Sequence, residues 1–483
     1  MTRSHHLLLL RTTVVCAGTA LAVASAALGG RSTAYAEQPE TPAAAPLMAL
    51  LPEPGAVAEE TIHEATGVRS YWLTNNVRLH YRFMNERRNQ VIVSMVTAGG
   101  EVEETQANRG ITQAAAIGLA SPATASLDSA MIRERARGKR ISVGGRPAPD
   151  ALMITVMGEA SDLEFGLQQA HMMLTEPVVE EASLALWRDG VRQFAELRTH
   201  QADAALADVI ASALYPQGEI RFAPVAPERA SAITSEQATA WLRRVVSTGP
   251  MEVSIVGDVP QERALELALR YLGSLPKRPR IGEGTFADLR TIRRPAGPLK
   301  VTRELVSRSP VAMVRTGFFS ADTRDLRDVR LLGMASRVLT ARARVDIESK
   351  RKLIEAPLIL SSPAAEYQGY GQFFLTSRVE PTRVAELAGA VQTLFDSFAA
   401  SGPTQEEMTG VLSGITEALE RQVLDPAFWS TRLTTLTYRG TSLDELIKSR
   451  EAYEGFTAAD VREAFARYCT PERRFELIVV PAK

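Results

Sequence analysis

An internal repeat constrains the fold of this chain more than any other feature of its sequence. Near the start of each copy an apolar stretch precedes a helical pattern, and the two stretches begin 220 residues apart, at Val91 and Val311. Near the end, helical patterns that begin at Ile233 and Phe456 each lead into a short apolar strand. A third pair of strands, in the middle of each copy, keeps the same order. A period this long excludes a solenoid and indicates two copies of one domain.

The order of the elements predicts the class of the fold. Each copy runs strand, strand, helix, strand, then helices, then strand, and strands joined directly favour an antiparallel or mixed sheet with helices on one face. We expect an α+β fold of two tandem homologous domains, over 70–275 and 300–483. Residues 276–299, rich in proline and glycine, are predicted to link them. Thr and Ser near the start of the last helix of each copy can cap free N–H groups.

The first residues have the pattern of an export signal. Arg3 and Arg11 precede an apolar stretch over 14–28, and Ala34-Tyr35-Ala36 has the small-x-small form of a cleavage site. We predict a signal peptide over 1–36, followed by a tether rich in Pro and Ala over 37–69. The alternative of a retained leader stays open. No later stretch is hydrophobic enough to enter a membrane, so the mature chain is expected to be periplasmic or secreted, without a membrane span.

Charge and residue counts exclude several classes of function. The chain has 483 residues, 55 basic and 56 acidic, and its net charge of −1 argues against binding to nucleic acid. Cys16 lies in the leader, which leaves Cys469 alone in the mature chain, so neither an internal disulfide nor a cysteine-rich zinc site is expected. Two of the six histidines also lie in the leader, and no two of the four in the mature chain are four residues apart.

Several segments together resemble the pitrilysin/insulinase (inverzincin) family of metallopeptidases, which includes the subunits of the mitochondrial processing peptidase. The resemblance covers roughly residues 70–483. It rests on four segments in the family's order: Leu73-Thr74-Asn75-Asn76-Val77-Arg78-Leu79, Val96-Thr97-Ala98-Gly99-Gly100-Glu101, Val256-Gly257-Asp258 and Ser401-Gly402-Pro403-Thr404-Gln405-Glu406-Glu407. No single segment is specific, but their order and the duplication are. The resemblance implies duplicated domains that form half of a clam-shaped chamber, called here a half-shell.

Active members of this family carry His-x-x-Glu-His on the first long helix. The two histidines bind one zinc ion from one helical face, and the glutamate acts as general base on the zinc-bound water. Here the three positions are Gln113, Ala116 and Ile117. A distal glutamate completes the metal site of active members, and Glu196 matches its position approximately. A solvated surface residue is the alternative for Glu196. The resemblance therefore implies a degenerate site with no metal, and we expect no cofactor, although active relatives bind zinc.

The second domain of active members often presents an arginine and a tyrosine to the substrate. The matching stretch contains Arg342 and Arg344, and Glu355 stands where the tyrosine is expected. The resemblance makes these three residues candidates for substrate binding, with a charged helix face as the alternative.

The implied function is a non-catalytic partner. A chamber of four domains requires two chains like this one, so the chain is expected to pair with an active metallopeptidase of the same family, or with itself as a homodimer, around an unfolded peptide. This is the arrangement of the non-catalytic subunit of the mitochondrial processing peptidase. Two alternatives remain: an active zinc-dependent endopeptidase with an altered site, and a self-paired structural shell.

Overall fold

The computed structural model describes residues 47–307 and 309–482. The predicted signal peptide and residues 37–46 of the predicted tether lie outside these ranges. Within them, no helix is both long and apolar enough to cross a membrane.

Twelve strands form two sheets in the described part of the chain. The first sheet contains β1 (Val57–His63), β2 (Val68–Leu73), β3 (Arg78–Phe83), β4 (Gln90–Ala98), β5 (Ile141–Ala148), β6 (Ala151–Glu159) and β7 (Met251–Gly257). The second contains β8 (Leu299–Leu305), β9 (Ala312–Ser320), β10 (Ile359–Ser362), β11 (Gly371–Val379) and β12 (Arg474–Pro481).

Helices follow the strands in both halves. The helices of the first half are α1 (Ile111–Ala120), α2 (Ser129–Arg135), α3 (Leu163–Thr175), α4 (Glu181–His200), α5 (Ala202–Leu214), α6 (Pro227–Ala232), α7 (Ser235–Thr248) and α8 (Gln261–Tyr271). Those of the second are α9 (Leu326–Ala343), α10 (Val384–Ser401), α11 (Gln405–Gln422), α12 (Pro426–Leu433), α13 (Leu443–Ile447), α14 (Ser449–Glu454) and α15 (Ala458–Tyr468). A π-helical segment, Arg344–Lys350, continues α9. Single 3₁₀ turns lie at Glu101–Glu103, Ala160–Asp162, Ile220–Phe222, Pro381–Arg383 and Pro471–Arg473.

The two sheets have the same topology. The first has the order β1-β2-β3-β7-β4-β6-β5, and the second, read from its other edge, has the order β8-β12-β9-β11-β10. In both, the first and last strands of the repeat pair in parallel, β3 with β7 and β8 with β12, and the other pairs are antiparallel. The hairpin of β1 and β2 is an addition at the edge of the first sheet. The predicted α+β fold with two tandem mixed sheets is confirmed.

Each sheet is covered on one face by helices of its own domain and on the other face by a helix of the other domain. On β4, Val91, Val93 and Met95 face the helices of their own domain. The opposite face of the first sheet contacts α12 of the second domain, while α5 of the first domain packs against β8, β9 and β12. The expectation of helices on one face is therefore incomplete, since a helix from the other domain covers the second face.

Two equivalent helices show how the duplicated sequence fixes local structure. α7 begins at a capping box in which Thr234 accepts from the backbone N–H of Gln237, and α15 begins in the same way at Thr457 and Asp460. Each box satisfies N–H groups that a helix end leaves free. The two helices then lead into β7 and β12, the central strands that both repeats place next to the first strand.

The predicted tether is wrong over residues 57–69, where the chain forms β1 and starts β2. Five of the seven residues of β1 are exposed, and the strand carries Glu59 and Glu60. An edge strand with charged side chains lacks the apolar alternation that identifies a strand in a sequence. The linker over 276–299 contains turns and extended chain until β8 begins at Leu299.

Candidate functional site

The predicted site lies on α1, and two of its three motif positions carry apolar side chains that pack against the core. Ala116 is 3% exposed, and Ile117 packs against the core of the first domain. At Gly118, an added Cβ would lie 2.8 Å from Leu242 Cδ2 and 3.0 Å from the carbonyl oxygen of Val178. The helix therefore lies too close to α7 and the loop before α4 for larger side chains on this face.

A buried network of charges holds the start of α1. Glu104 accepts hydrogen bonds from the backbone N–H groups of Gly110, at 2.9 Å, and Thr112, at 2.8 Å. Arg109 donates to Glu101 and Glu104, both at 2.7 Å. Carboxylates stabilise a helix N-terminus through its free N–H groups and its dipole. Glu104 thus caps α1, and Arg109 compensates its buried charge.

Gln113 belongs to this network. Its side-chain amide lies beside the Glu101 carboxyl group, whose pKa is raised by burial against the opposing effect of Arg109. The residue at the first ligand position therefore lies next to a carboxylate of its own chain. Glu196 is exposed on α4, a helix that contacts α1. Across residues 47–307 and 309–482, no three His, Cys, Asp or Glu side chains lie close enough together to hold a metal ion.

The candidates for substrate binding in the second domain differ in their surroundings. Arg342 forms a bidentate pair with Glu407, at 2.7 and 2.8 Å, and donates to the carbonyl oxygen of Gly402 at 2.9 Å. It therefore clamps the end of α9 to the start of α11. Arg344 and Glu355 are exposed, and neither makes an ion pair with another described residue. The assignment of all three to substrate binding stays a prediction.

Comparisons with known proteins agree with this fold. Residues 232–414 match the family model described as the peptidase M16 inactive domain. The periplasmic protease PqqL from Escherichia coli has 16% identity and a TM-score of 0.75, with 94% of this chain and 49% of PqqL covered. A peptidase M16 inactive domain from Pseudomonas fluorescens has 15% identity and a TM-score of 0.73, with 86% and 98% covered. Residues 232–414 are thus similar to the M16 inactive domain, and the fold of the described residues is that of these M16-like structures.

A third similar structure shows a family fold together with a protein bound to it. It is a mutant of the ferredoxin protease FusC in complex with Arabidopsis ferredoxin, with 15% identity, a TM-score of 0.76, and 94% of this chain and 49% of FusC covered. The chain thus spans about half the length of PqqL and of FusC. Among curated proteins, no sequence matches this chain.

The residues at the four positions that correspond to the expected zinc site do not fit a zinc ion. Zinc in proteins is held by imidazole nitrogen, thiolate sulfur or carboxylate oxygen. The three motif positions offer an amide that lies beside Glu101, a methyl group and a branched alkyl group. Glu196 is the one carboxylate among the four positions, so no metal-dependent step can be assigned to these residues.

A second buried network, which the sequence reasoning missed, connects the two domains. His80 and Glu252 are both fully buried, and His80 Nε2 lies 2.8 Å from Glu252 Oε1. Glu252 also accepts from the backbone N–H groups of Thr437, at 2.6 Å, and Tyr438, at 2.9 Å, in the second domain. On the other side of the ring, Ser70 Oγ lies 2.7 Å from His80 Nδ1.

A neighbouring ion pair strengthens the same contact. Asp150, fully buried in the turn between β5 and β6, pairs with Arg439 through both carboxylate oxygens, at 2.6 and 2.8 Å. It also accepts from the hydroxyl group of Tyr438 at 3.0 Å. The sequence carries no signal for these pairs, because their members lie 172 to 289 residues apart. The only local hint is a charged residue in a mainly apolar strand, as at Glu252 in β7.

Proposed function

We propose that this chain is an exported, non-catalytic half-shell that acts with an active zinc peptidase of its family. In this proposal the chain supplies one wall of a chamber and binds unfolded peptide, while the partner supplies zinc and the general base. The observation that carries the proposal is the replacement of both metal ligands and the base on α1 by Gln113, Ala116 and Ile117.

The size of the fold supports a partner. PqqL and FusC are each about twice as long as the part of them that this chain covers. A second half-shell of similar size would therefore complete the length of each of these proteases. A specific contact between two half-shells should bury at least roughly 1,000 Å².

Export is supported by the amino-terminal pattern and by one relative. Residues 1–36 have the charge, apolar stretch and cleavage site of a signal peptide. PqqL, which has the same fold, is described as a periplasmic protease. Amino-terminal sequencing of the protein from the periplasm should find Glu37 as its first residue, and an intact leader on a cytoplasmic pool would contradict export.

The exposed residues of the second domain are the proposed contacts for the peptide. Arg344 and Glu355 lie on the surface near the π-helical segment. A π-helical turn is rare and often occurs at functional sites. Arg342 is the weaker candidate, because its guanidinium group is already bonded to Glu407 and Gly402.

A mass measurement and a peptide-cleavage assay test this proposal. Light scattering should give the mass of the mature protein alone and mixed with a relative from the same cell that has an intact His-x-x-Glu-His motif. We expect a complex with the relative and a faster cleavage of unfolded peptide. A monomer in both samples, with an unchanged cleavage rate, would remove the partner role. A homodimer that forms alone and excludes the relative would favour the self-paired shell.

Variants separate peptide binding from folding. Arg344→Ala should weaken peptide binding and leave the unfolding transition unchanged, whereas Arg342→Ala should lower stability through the loss of the Glu407 pair. Arg133→Ala, at an exposed position on α2, is the matched control. Peptide affinity that is equal in Arg344→Ala and the control would contradict the assignment of Arg344. Cleavage by the chain alone, with dependence on zinc, would favour the altered-site endopeptidase.

A further inference from the structure

A cavity of about 490 Å³ opens between the loop before α1 and the helices α6 and α7. Cavities of about 300–1,000 Å³ are the usual size for small ligands in proteins. It involves none of the degenerate motif positions, and the function proposed above does not use it.

The wall of the cavity is mainly apolar and its aromatic ring is fixed. Ile111, Ile233 and Trp241 line it, together with small alanine side chains. Trp241 Nε1 donates a hydrogen bond to Thr112 Oγ1 at 3.0 Å. This bond ties the indole to α1, so the apolar surface is preformed and does not have to be ordered when a ligand binds.

Two side-chain amides at the cavity have their orientation determined by backbone N–H groups. The backbone N–H of Thr105 donates to Asn108 Oδ1 at 2.6 Å, and the backbone N–H of Thr234 donates to Gln237 Oε1 at 3.0 Å. A backbone N–H can only donate, so the atom that faces it must be the amide oxygen. The amide NH₂ groups of Asn108 and Gln237 have no acceptor among the described residues, and both remain as donors.

The charge at the cavity is positive. Arg229 lines it, and the one hydrogen bond of its guanidinium group to a described residue runs from Nε to the carbonyl oxygen of Arg109, at 3.4 Å. Arg229 makes no ion pair within residues 47–307 and 309–482. Arg244 also lines the cavity, but Glu103 compensates its charge through bonds of 2.9 and 3.2 Å. None of the residues that line the cavity is acidic.

We propose that this cavity binds an apolar carboxylate. The carboxylate group would accept from Arg229 and from the amide NH₂ groups of Asn108 and Gln237, and the apolar part would lie against Trp241, Ile111 and Ile233. An anion is favoured over a neutral group because all three polar partners donate and one of them is a cation without a counter-charge. The same chemistry occurs in a peptide with an apolar carboxyl-terminal residue and in a free alkyl carboxylate.

The test compares matched ligands on the full-length protein. N-acetyl-leucyl-phenylalanine with a free carboxylate is titrated by calorimetry beside the same compound as its carboxyl-terminal amide, with octanoate as a third ligand. We expect the acid to bind at least tenfold more tightly than the amide. Equal affinities, or no binding of the acid up to about 10 mM, would overturn the proposal. Because this comparison needs no variant, a variant that fails to fold does not affect it.

Variants then assign the partners. Arg229→Gln should weaken binding of the acid at least tenfold, whereas Arg243→Gln, on α7 but outside the cavity, should leave it unchanged. Ala240→Trp, which fills the cavity from an exposed position, should abolish binding. Equal affinity of Arg229→Gln and Arg243→Gln would contradict the role of Arg229. Tighter binding of the peptide than of octanoate would assign the cavity to peptide ends, and the reverse order to free alkyl carboxylates.

Discussion

Removal of the Glu252 carboxylate should destabilise the contact between the two domains. Glu252 is fully buried and faces three groups, the backbone N–H groups of Thr437 and Tyr438 and the ring of His80. Glu252→Ala leaves all three without this partner. A buried hydrogen-bonding group without a partner costs about 1–3 kcal/mol, and three such groups are left here. We therefore expect the free energy of unfolding to fall by about 3–5 kcal/mol.

The assay is urea unfolding followed by tryptophan fluorescence and circular dichroism. Trp429 lies on α12, which packs against the first sheet, so its fluorescence reports on the same contact. Glu53→Ala is the control, because Glu53 is exposed and makes no ion pair with a described residue. Its effect should stay within about 0.5 kcal/mol. A loss of less than about 1 kcal/mol in Glu252→Ala would refute the view that this carboxylate joins the domains.

Four further predictions follow from the site and its surroundings. The purified chain should contain no stoichiometric zinc, and metal analysis that finds one tightly held zinc per chain would contradict this. Ala116→Glu should lower the free energy of unfolding by about 3 kcal/mol or more through a buried unpaired charge, while Ala120→Glu, exposed on the same helix, should cost less than about 0.5 kcal/mol. Burial lowers the pKa of His171, so the unfolded chain takes up a proton first as the pH falls through about 6.5. Stability should then fall by up to about 1.4 kcal/mol per pH unit until the pKa of the folded state is reached, and urea titrations of His171→Gln should show a smaller loss. Burial raises the pKa of Cys469 to about 11, so a thiol reagent should label it only after unfolding, and rapid labelling of the native protein would show that the thiol is accessible.

The sequence predicted the parts of the fold that rest on local pattern. The helix expected to carry positions 113, 116 and 117 runs from Ile111 to Ala120, and Thr234 and Thr457 cap the equivalent helices α7 and α15. These features depend on residues three or four positions apart, which periodicity and capping rules can identify. The duplication then placed the second sheet, because each of its strands has a counterpart in the first.

The parts that the sequence did not predict depend on distant residues. β1 was missed because its charged side chains find partners elsewhere: Glu60 pairs with Arg69, at 3.1 Å, on the next strand, and Glu59 with Arg280 in the segment between the domains. The pairing of Arg342 with Glu407, 65 residues later, was not predicted either. In each case one member of the pair has no local pattern that indicates the other.

The residues at the motif positions differ from zinc ligands in their chemistry, and they also take part in the packing of α1. Gln113 lies beside Glu101, which shares Arg109 with the carboxylate that caps α1. A histidine at 113 would have to be accommodated next to that carboxyl group. At position 116, an added side chain of glutamate size meets a core in which Ala116 is already buried, and overpacking of this kind costs about 1–3 kcal/mol before any charge is counted. The positions that hold and activate zinc in active relatives thus help to hold α1 in place here, and a return to the motif would disturb the start of the helix as well as its face.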